Sequence, residues 1–380
     1  MSFTMSLTQL ATSMKSSTTR PYRITRIAAL SALGLALAAC GGGGSDGTTA
    51  AAPSAVAAQV TTPTTTPALT PTPVAAPVTP PVTPAPAPTP PDRTAADVTF
   101  TQTSFAEGVS IDPATGSLYI GTGGASTFAL LRATATETAF SNWLSATGII
   151  PGAPTSSPLV VGTRVQGSAI YFCVSSPFPT SSTVWAYNLD TQAKVGQYAM
   201  PAGFCNDLAF DAAGNLFATS NRITAGAEAI YKLSAATVAS GSATAADWAT
   251  WYSAPAGFAV NGLAFDATGN RLLWADNSTP LGNTRIQASA TGGATATATS
   301  VISALAVKVD GLQINSTGNL LAIDASTGAK LINLATGTPG TVTNLTDGAA
   351  CRTTVALYKA DAWCTDSVGT VIRLVGAGNL

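Results

Sequence analysis

One pattern repeats along most of the chain and constrains its fold more than any other feature. Each copy has an apolar strand, a turn containing glycine and a second apolar strand. The copies are FAEGVSIDPATGSLYIG (105–121), FCNDLAFDAAGNLFATS (204–220), AVNGLAFDATGNRLLWADN (259–277), VDGLQINSTGNLLAID (309–324) and a degenerate CRTTVALYKADAWCTD (351–366). The turn glycines, Gly116, Gly214, Gly269 and Gly318, fall where a tight hairpin needs a positive φ. Repeated hairpins without a long amphipathic helix predict an all-β protein.

The spacing of the copies indicates a propeller. Asn206, Asn261, Asp310 and Arg352 occupy one place in successive copies, 55, 49 and 42 residues apart, and Glu107 precedes Asn206 by 99 residues, or two units. A missing copy is therefore expected near 155–200. Periods of about 40–50 residues with several strands each are typical of propeller blades. We predict a six-bladed β-propeller over 96–380, closed by 97–101 as the outer strand of the last blade. The alternative, a β-sandwich, is disfavoured by the regular repeat.

The N-terminus has the features of an export signal. Arg20, Arg23 and Arg26 precede a short apolar run and then Leu-Ala-Ala-Cys, ending at Cys40. The run is too short for a mature membrane anchor, and its basic flank fits a signal peptide over 1–39. The small residues before Cys40 resemble the bacterial lipobox, in which the cysteine is lipidated; an ordinary signal peptide cut nearby is the alternative. Gly41 resembles the sorting pattern of outer-membrane lipoproteins.

Residues 40–95 are predicted to be a disordered linker. The segment begins with glycines and continues with Pro, Thr and Ala, and it contains thirteen of the 24 prolines. Such a composition cannot bury a core and favours extended chain. The expected arrangement is a lipid anchor on Cys40, a spacer and a globular domain, located in the bacterial cell envelope at the outer membrane, facing the periplasm or the cell surface.

Composition excludes several functions. The chain has no histidine, so a Ser-His-Asp triad, a histidine-liganded zinc and a histidine general base are ruled out. The formal net charge is −1, but four basic residues precede Cys40, and the remainder has 13 basic against 18 acidic residues. A weakly acidic protein without basic clusters is not expected to bind nucleic acid.

Four cysteines remain after Cys40, and an even number in an exported protein permits two disulfides. Cys173, Cys205, Cys351 and Cys364 allow three pairings. Cys351 and Cys364 flank one apparent hairpin, so we favour that bridge; four buried thiols are the alternative.

The first polar residue of each copy identifies the candidate site. The innermost strands of a propeller line its channel, so equivalent positions converge at one end of the axis. These positions are Glu107, Asn206, Asn261 and Asp310, with Arg352 in the last copy. Two carboxylates and two amides form an all-oxygen set that suits a hard cation such as calcium, although another divalent ion is possible. Asn and Asp also occur at strand starts for purely structural reasons.

The same residues resemble the calcium site of six-bladed propeller hydrolases. Glu107-Gly108, the segment 205–211, Asn261-Gly262 and Asp310-Gly311 are similar to motifs of the senescence-marker-protein/gluconolactonase family, diisopropyl-fluorophosphatase and the paraoxonases. The resemblance covers about 105–366, with the motifs in the same order. It implies that Glu107, Asn261 and Asp310 bind a catalytic divalent ion, that Asn206 is a ligand or substrate contact, and that Asp310 is nucleophile or general base. The histidine pair of paraoxonases and the tryptophan that often follows Glu-Gly in gluconolactonases are both missing.

The predicted function is a metal-dependent hydrolase of a lactone, ester or phosphoester. Arg352 is expected either to receive a substrate anion or to form a structural ion pair. Asp207 is either a supporting carboxylate of the site or a surface turn residue. The alternative function is a non-enzymatic propeller that binds a glycan, peptide or protein at the envelope. The expected partners are a small-molecule substrate and, through Cys40, the membrane; a protein partner is not identified.

Overall fold

The computed structural model describes an almost entirely β-stranded chain. It describes residues 91–93, 97–99, 105–124, 127–145, 159–175, 182–201, 203–221, 228–278, 283–305, 308–334, 342–366 and 369–380. The predicted signal peptide, Cys40 and most of the predicted linker lie outside these residues. Strands are numbered β1–β25 in chain order. One short α-helix, α1 (Ala235–Ser240), and 3-10 turns at Ala245–Asp247 and Thr346–Gly348 accompany them. No helix within the described ranges is long and apolar enough to span a membrane.

The largest sheet has nine strands. They are β2 (Phe105–Ile111), β3 (Leu118–Gly124), β4 (Thr127–Ala133), β5 (Ser141–Ser145), β6 (Leu159–Gln166), β7 (Ala169–Ser175), β8 (Ser182–Asn188), β9 (Lys194–Ala199) and β13 (Ser242–Ala243). Strands β2–β5 form one antiparallel meander and β6–β9 form another. Among the described residues, the two meanders pair with each other at Gly123 and Leu159 alone.

Four further sheets have four strands each. The first contains β10 (Phe204–Phe210), β11 (Leu216–Asn221), β12 (Ala229–Leu233) and β14 (Ala249–Ser253). The second contains β15 (Phe258–Asp266), β16 (Arg271–Ser278), β17 (Thr284–Ala290) and β18 (Thr299–Leu305). The third contains β19 (Val309–Ile314), β20 (Leu320–Asp324), β21 (Gly328–Ile332) and β22 (Val342–Asn344). The fourth, the closing sheet, contains β1 (Val98–Thr99), β23 (Val355–Tyr358), β24 (Asp361–Thr365) and β25 (Thr370–Leu374). Repeated four-stranded meanders establish the predicted all-β propeller class.

The chain closes on itself as the sequence predicted. Val98 pairs with Val371, and Thr99 pairs with Thr370, so the first described strand is the outer strand of the sheet that the last three strands form. Residues 100 and 101, the rest of the predicted closing strand, lie outside the described residues. This pairing covers the outer edge of β25 with residues that precede the first inner strand.

The hairpin turns explain why the repeat contains Asp, Asn and Gly. The carboxylate of Asp211 accepts bonds from the backbone N–H groups of Ala213 and Asn215, and Gly214 has φ 84°. Gly116 (68°) and Gly318 (81°) are likewise left-handed, as predicted. The prediction was wrong for Gly269, because β15 extends to Asp266 and leaves a short turn. Its left-handed residue is Asn270, with φ 46°.

The hydrophobic core lies between neighbouring sheets, where large aromatic side chains pack against one another. Trp251 of β14 contacts both Phe217 of its own sheet and Trp274 of the next, with ring centroids 5.0 and 5.6 Å away. At the closure, Trp363 packs in one cluster with Val109. These contacts hold each sheet against the next and leave the starts of the inner strands at the channel.

The folded part begins earlier than the predicted boundary at residue 96. Arg93 is only 4% exposed, and its guanidinium donates to the carbonyl oxygens of Gly116 and Thr134 at 3.0 and 2.9 Å. It also lies over the ring of Trp363, 4.8 Å from the centroid. Tyr358 donates a hydrogen bond to the carbonyl oxygen of Pro91. Residues 91–93 therefore bind across the closure and are not part of the linker.

Two disulfides form, one of them the favoured bridge. Cys351–Cys364, the favoured bridge, ties the closing sheet to the segment before β23. Cys173–Cys205 joins β7 to β10 and so cross-links two neighbouring sheets. The bridged residues are 13 and 32 positions apart, and cross-links of this span contribute about 3–4 kcal/mol each in the chain-entropy account.

Candidate functional site

A β-bulge interrupts five of the inner strands, four of them at a predicted site residue. The pairing register shifts in the intervals Ala106–Val109, Val160–Thr163, Cys205–Leu208, Val260–Leu263 and Val309–Leu312. Each interval contains two unpaired residues, the first of which is Glu107, Val161, Asn206, Asn261 or Asp310. A bulge turns the strand locally and re-aims the side chain that it carries. This local geometry directs the polar side chains into the channel rather than into the sheet.

Glycine follows most of these residues because the next inner strand lies directly against it. A side-chain carbon on Gly108 or Gly262 would fall within 3 Å of the carbonyl oxygen of Val161 or Asp310, respectively. At Gly162 it would lie 2.6 Å from the backbone of Asn206, and at Gly311 2.5 Å from Thr354. The inner strands are therefore packed backbone to backbone around the channel, and only glycine permits that approach.

Asp207 stands where the other copies have glycine and makes the corresponding contact through its side chain. Its carboxylate accepts hydrogen bonds from the N–H groups of Leu263, on the next inner strand, and Leu208, each at 2.8 Å. Arg164 is 3.5 Å from the same carboxylate. Burial raises the pKa of Asp207, and the charge of Arg164 opposes that rise. Asp207 is thus a buried member of the site and not a surface turn residue.

The second inner strand contains the copy that sequence reasoning could not place. Val161 lies 54 residues after Glu107 and 45 before Asn206, and Gly162 follows it. The position of this copy could have been found from the Val-Gly pair at the repeat spacing. Valine has no polar atom, however, so the pair does not resemble the polar residues of the other copies. This strand therefore supplies no side-chain ligand.

In the last copy, Thr353 occupies the site register, one residue later than predicted. Gly311 packs on Thr353 and Thr354, and the Thr353 hydroxyl donates to the carbonyl oxygen of Glu107 at 3.2 Å. That bond returns to the first inner strand and completes the ring. Arg352 instead donates to the carbonyl oxygens of Ala349 and Cys351, at 2.8 and 2.7 Å. Arg352 does not line the cavity described below, at which it was expected to contact a substrate.

The ring encloses a small polar cavity. Its lining residues are Glu107, Gly108, Gly162, Asn206, Asp207, Asp310, Thr353 and Thr354. The volume is about 10 Å³, close to what one water molecule or one bare cation needs. Asn206 donates to the side-chain oxygen of Asn261, whose side chain in turn hydrogen-bonds Asp310. The structure thus brings together all four predicted ligands.

The two carboxyl groups of the cavity are poorly compensated. Burial raises the pKa of Glu107 well above its usual range, and the nearby Asp310 raises it further. Burial raises the pKa of Asp310 to about 6, although Lys308 and the hydrogen bond from Asn261 oppose the rise. Within the described ranges neither carboxylate has an ion-pair partner within 4 Å. Lys308, which sequence reasoning missed, is the basic residue whose charge acts on both.

The donor set of this cavity fits a hard cation. Glu107, Asp310 and Asn206 line a space of ionic size, and Asn261 is hydrogen-bonded to Asn206 and Asp310 beside it. Calcium binds carboxylate and amide oxygens of this kind. No group of three or more acidic, cysteine or histidine side chains in the described part of the chain is arranged to hold a metal. A metal bound here would therefore need the amide oxygens of Asn206 and Asn261 as well as the two carboxylates.

These features define the class of the protein as an all-β propeller with a polar cavity at one end of its channel. No family model matches the sequence, and no curated protein matches it.

The fold is similar to those of several solved enzymes. A luciferin-regenerating enzyme matches with a TM-score of 0.50 at 16% identity, over 72% of this chain and 92% of that chain. The PQQ-bound aldose sugar dehydrogenase of Streptomyces coelicolor matches with 0.50 at 15%, over 75% and 99%. A gluconolactonase of Xanthomonas campestris gives 0.48 at 16%, over 72% and 87%. At these identities the likeness concerns the fold alone.

Proposed function

We propose that this chain is a six-bladed propeller hydrolase that uses one divalent ion, with calcium as the first candidate. The two meanders of the nine-stranded sheet count as separate blades, because in the described part of the chain a single backbone pairing joins them. The observation that carries the proposal is that the carboxylates of Glu107 and Asp310 lie in the same cavity. Both are half-buried carboxylates that line one cavity, next to two amides and without an ion-pair partner among the described residues.

In this proposal four side chains hold the ion. Glu107 and Asp310 supply two negative charges, and the amide oxygens of Asn206 and Asn261 supply neutral ligands. The hydrogen bonds that the two amides make now would be exchanged for coordination. The bound ion would polarise a carbonyl or phosphoryl oxygen and stabilise the negative charge that develops there.

Three residues of the chain have further roles in this proposal: proton transfer, positioning and substrate contact. With no histidine, Asp310 is the best-placed group to accept a proton from the attacking water or to attack directly. Asp207 holds the neighbouring inner strand through Leu263 and so keeps Asn206 and Asn261 in register. Asn206 also contacts substrate, and the small cavity limits the buried part of that substrate to its reacting group. A role for Arg352 toward a substrate anion stays a prediction.

The experiment is a hydrolysis screen of the purified protein with lactones, carboxylic esters and phosphoesters. It is run with calcium, with other divalent ions and after removal of metal by a chelator. We expect turnover of at least one class, its loss with the chelator and its return with added ion. Absence of turnover with every substrate class and ion would contradict the enzymatic proposal.

A non-enzymatic propeller is the second candidate, and one observation favours it. The cavity has room for about one water molecule, and Asn206 and Asn261 are hydrogen-bonded to each other. Such an arrangement also suits a purely structural ring. In that case the protein would bind a glycan, peptide or protein at the envelope, and the screen would give no turnover while the fold remained intact.

The envelope location is part of the same proposal. The basic and apolar segments before Cys40, together with the linker after it, are the features that support a lipid-anchored protein. Mass spectrometry of the mature chain tests this. We expect an N-terminus at a diacylated or triacylated Cys40, and an unmodified N-terminus at another residue would contradict it.

A further inference from the structure

Arg164 has a charged side chain that contacts two other inner strands beside the cavity. It follows Val161-Gly162 on β6, and its side chain is 18% exposed. The Nε group donates to the carbonyl oxygen of Leu208 at 2.9 Å, and Nη1 donates to Oε1 of Gln313 at 3.0 Å. Nη2 lies 3.5 Å from Oδ1 of Asp207. Each of the three guanidinium nitrogens therefore faces a different oxygen.

The three oxygens come from two other inner strands. Asp207 and Leu208 belong to β10, and Gln313 belongs to β19, 149 residues away from Arg164 in sequence. The equivalent position of three other inner strands is alanine, which is too short to reach across: Ala209, Ala264 and Ala356. The guanidinium, together with Gln313 at the equivalent position of β19, thus bridges strands that are distant in sequence.

The bridge lies next to the cavity. Asp207 lines the cavity and also faces Arg164, while Gly162, two residues before Arg164, lines it as well. Gln313 follows Asp310 by three residues on the same strand. The guanidinium does not line the cavity itself, but it contacts Asp207, which does.

The oxygens around Arg164 have the chemistry of a cation site. They are one carboxylate, one peptide carbonyl and one side-chain amide, and each is a type of oxygen that binds hard cations. A guanidinium is a weakly hydrated planar cation whose nitrogens suit several oxygens at once. We propose that these three oxygens form a second cation site in the channel, which the Arg164 side chain permanently occupies. This inference goes beyond the proposed function and does not depend on it.

Arg164 affects the balance of charge in the neighbouring cavity. The positive charge of Arg164 faces Asp207, so that carboxylate is compensated within the protein. Only Glu107 and Asp310 then remain to neutralise an ion in the cavity.

Removing the side chain tests the inference by chemical rescue. Arg164→Ala leaves the three oxygens around an empty space, and a cation that binds there stabilises the folded state. We expect low-millimolar methylguanidinium to raise the Tm of the purified full-length Arg164→Ala variant by roughly 3–6 °C at about ten times its Kd. Sodium chloride at equal ionic strength should not raise it, and the wild type should not respond.

Two controls make the result specific. Arg271→Ala removes an ion pair with Asp266 away from the channel oxygens that contact Arg164 and should show no rescue. Adding Asp207→Asn to Arg164→Ala removes the charged oxygen and should abolish rescue. If Arg164→Ala is not recovered folded, its refolding from urea with and without methylguanidinium is compared, and recovery of the native circular dichroism supports the site. Failure of methylguanidinium to stabilise or refold the variant would overturn the inference.

Discussion

Asp310→Asn and Glu107→Gln are each expected to abolish the stabilisation that calcium gives to the wild type. An ion at 100 times its Kd stabilises the folded state by about 2.7 kcal/mol, or roughly 5–10 °C in Tm for a domain of this size. Each variant removes one of the two negative charges that neutralise the ion. The measurements are metal content and Tm with and without calcium.

Asp310→Asn is also expected to change the pH dependence of stability when no metal is bound. Burial raises the pKa of Asp310 to about 6, so its charged form opposes folding. That destabilisation is absent below the unfolded-state pKa, about 3.9, and grows as pH rises through the folded-state value. Metal-free Asp310→Asn should therefore be at least as stable as the metal-free wild type at pH 8, and the advantage should vanish near pH 4.

Asp190→Asn is the matched control, because Asp190 is an exposed aspartate away from the cavity. It should retain both metal content and the calcium-dependent shift. Wild-type protein without bound ion and without a shift in millimolar calcium would contradict the metal proposal. Full calcium response in Asp310→Asn would instead contradict the ligand assignment.

Gly108→Ala is expected to cause the largest loss of stability among conservative changes at the site. The new methyl group would overlap the carbonyl oxygen of Val161 and approach the backbone of Thr163 to within 3 Å. Neither obstacle is a flexible side-chain end, so the inner strands must separate. We expect a loss of about 3 kcal/mol in the free energy of unfolding, at the upper end for overpacking. Urea denaturation measures it.

Gly292→Ala is the control for that change. A side-chain carbon at Gly292 meets no atom within 4 Å, and the residue is exposed. Its stability should stay within about 0.5 kcal/mol of the wild type, as surface substitutions generally do. Equal stabilities of the Gly108 and Gly292 variants would show that the inner strands are not packed as tightly as described.

Several features were predictable because they depend on local sequence. The hairpin repeat predicted the strands, since alternation and turn residues act over a few positions. The favoured disulfide, Cys351–Cys364, was predictable because its cysteines flank one hairpin. The register of Glu107, Asn206, Asn261 and Asp310 followed from the same repeat, and the structure gathers these residues.

Other features could not be predicted because they depend on contacts between distant strands. Arg164 meets Gln313 only when the sheets are arranged around the channel, and neither residue belongs to a recurring motif. Thr353 rather than Arg352 faces the ring, because the degenerate last copy gives no residue pattern to fix the register within one position. Arg93 was assigned to the linker because its neighbours have a linker composition. In the fold it is held by hydrogen bonds to the carbonyl oxygens of Gly116, between β2 and β3, and Thr134, after β4.

The sequence by itself therefore determined the strand content, the repeat, the closure by residues 97–99 and the four candidate oxygens. These follow from periodicity, which is a property of neighbouring residues. Only the tertiary structure decided how large the cavity is, which carboxylate is compensated and which strands Arg164 bridges. Those properties arise where side chains from different sheets meet, and a buried charge is stabilised or left uncompensated by partners far away in the chain.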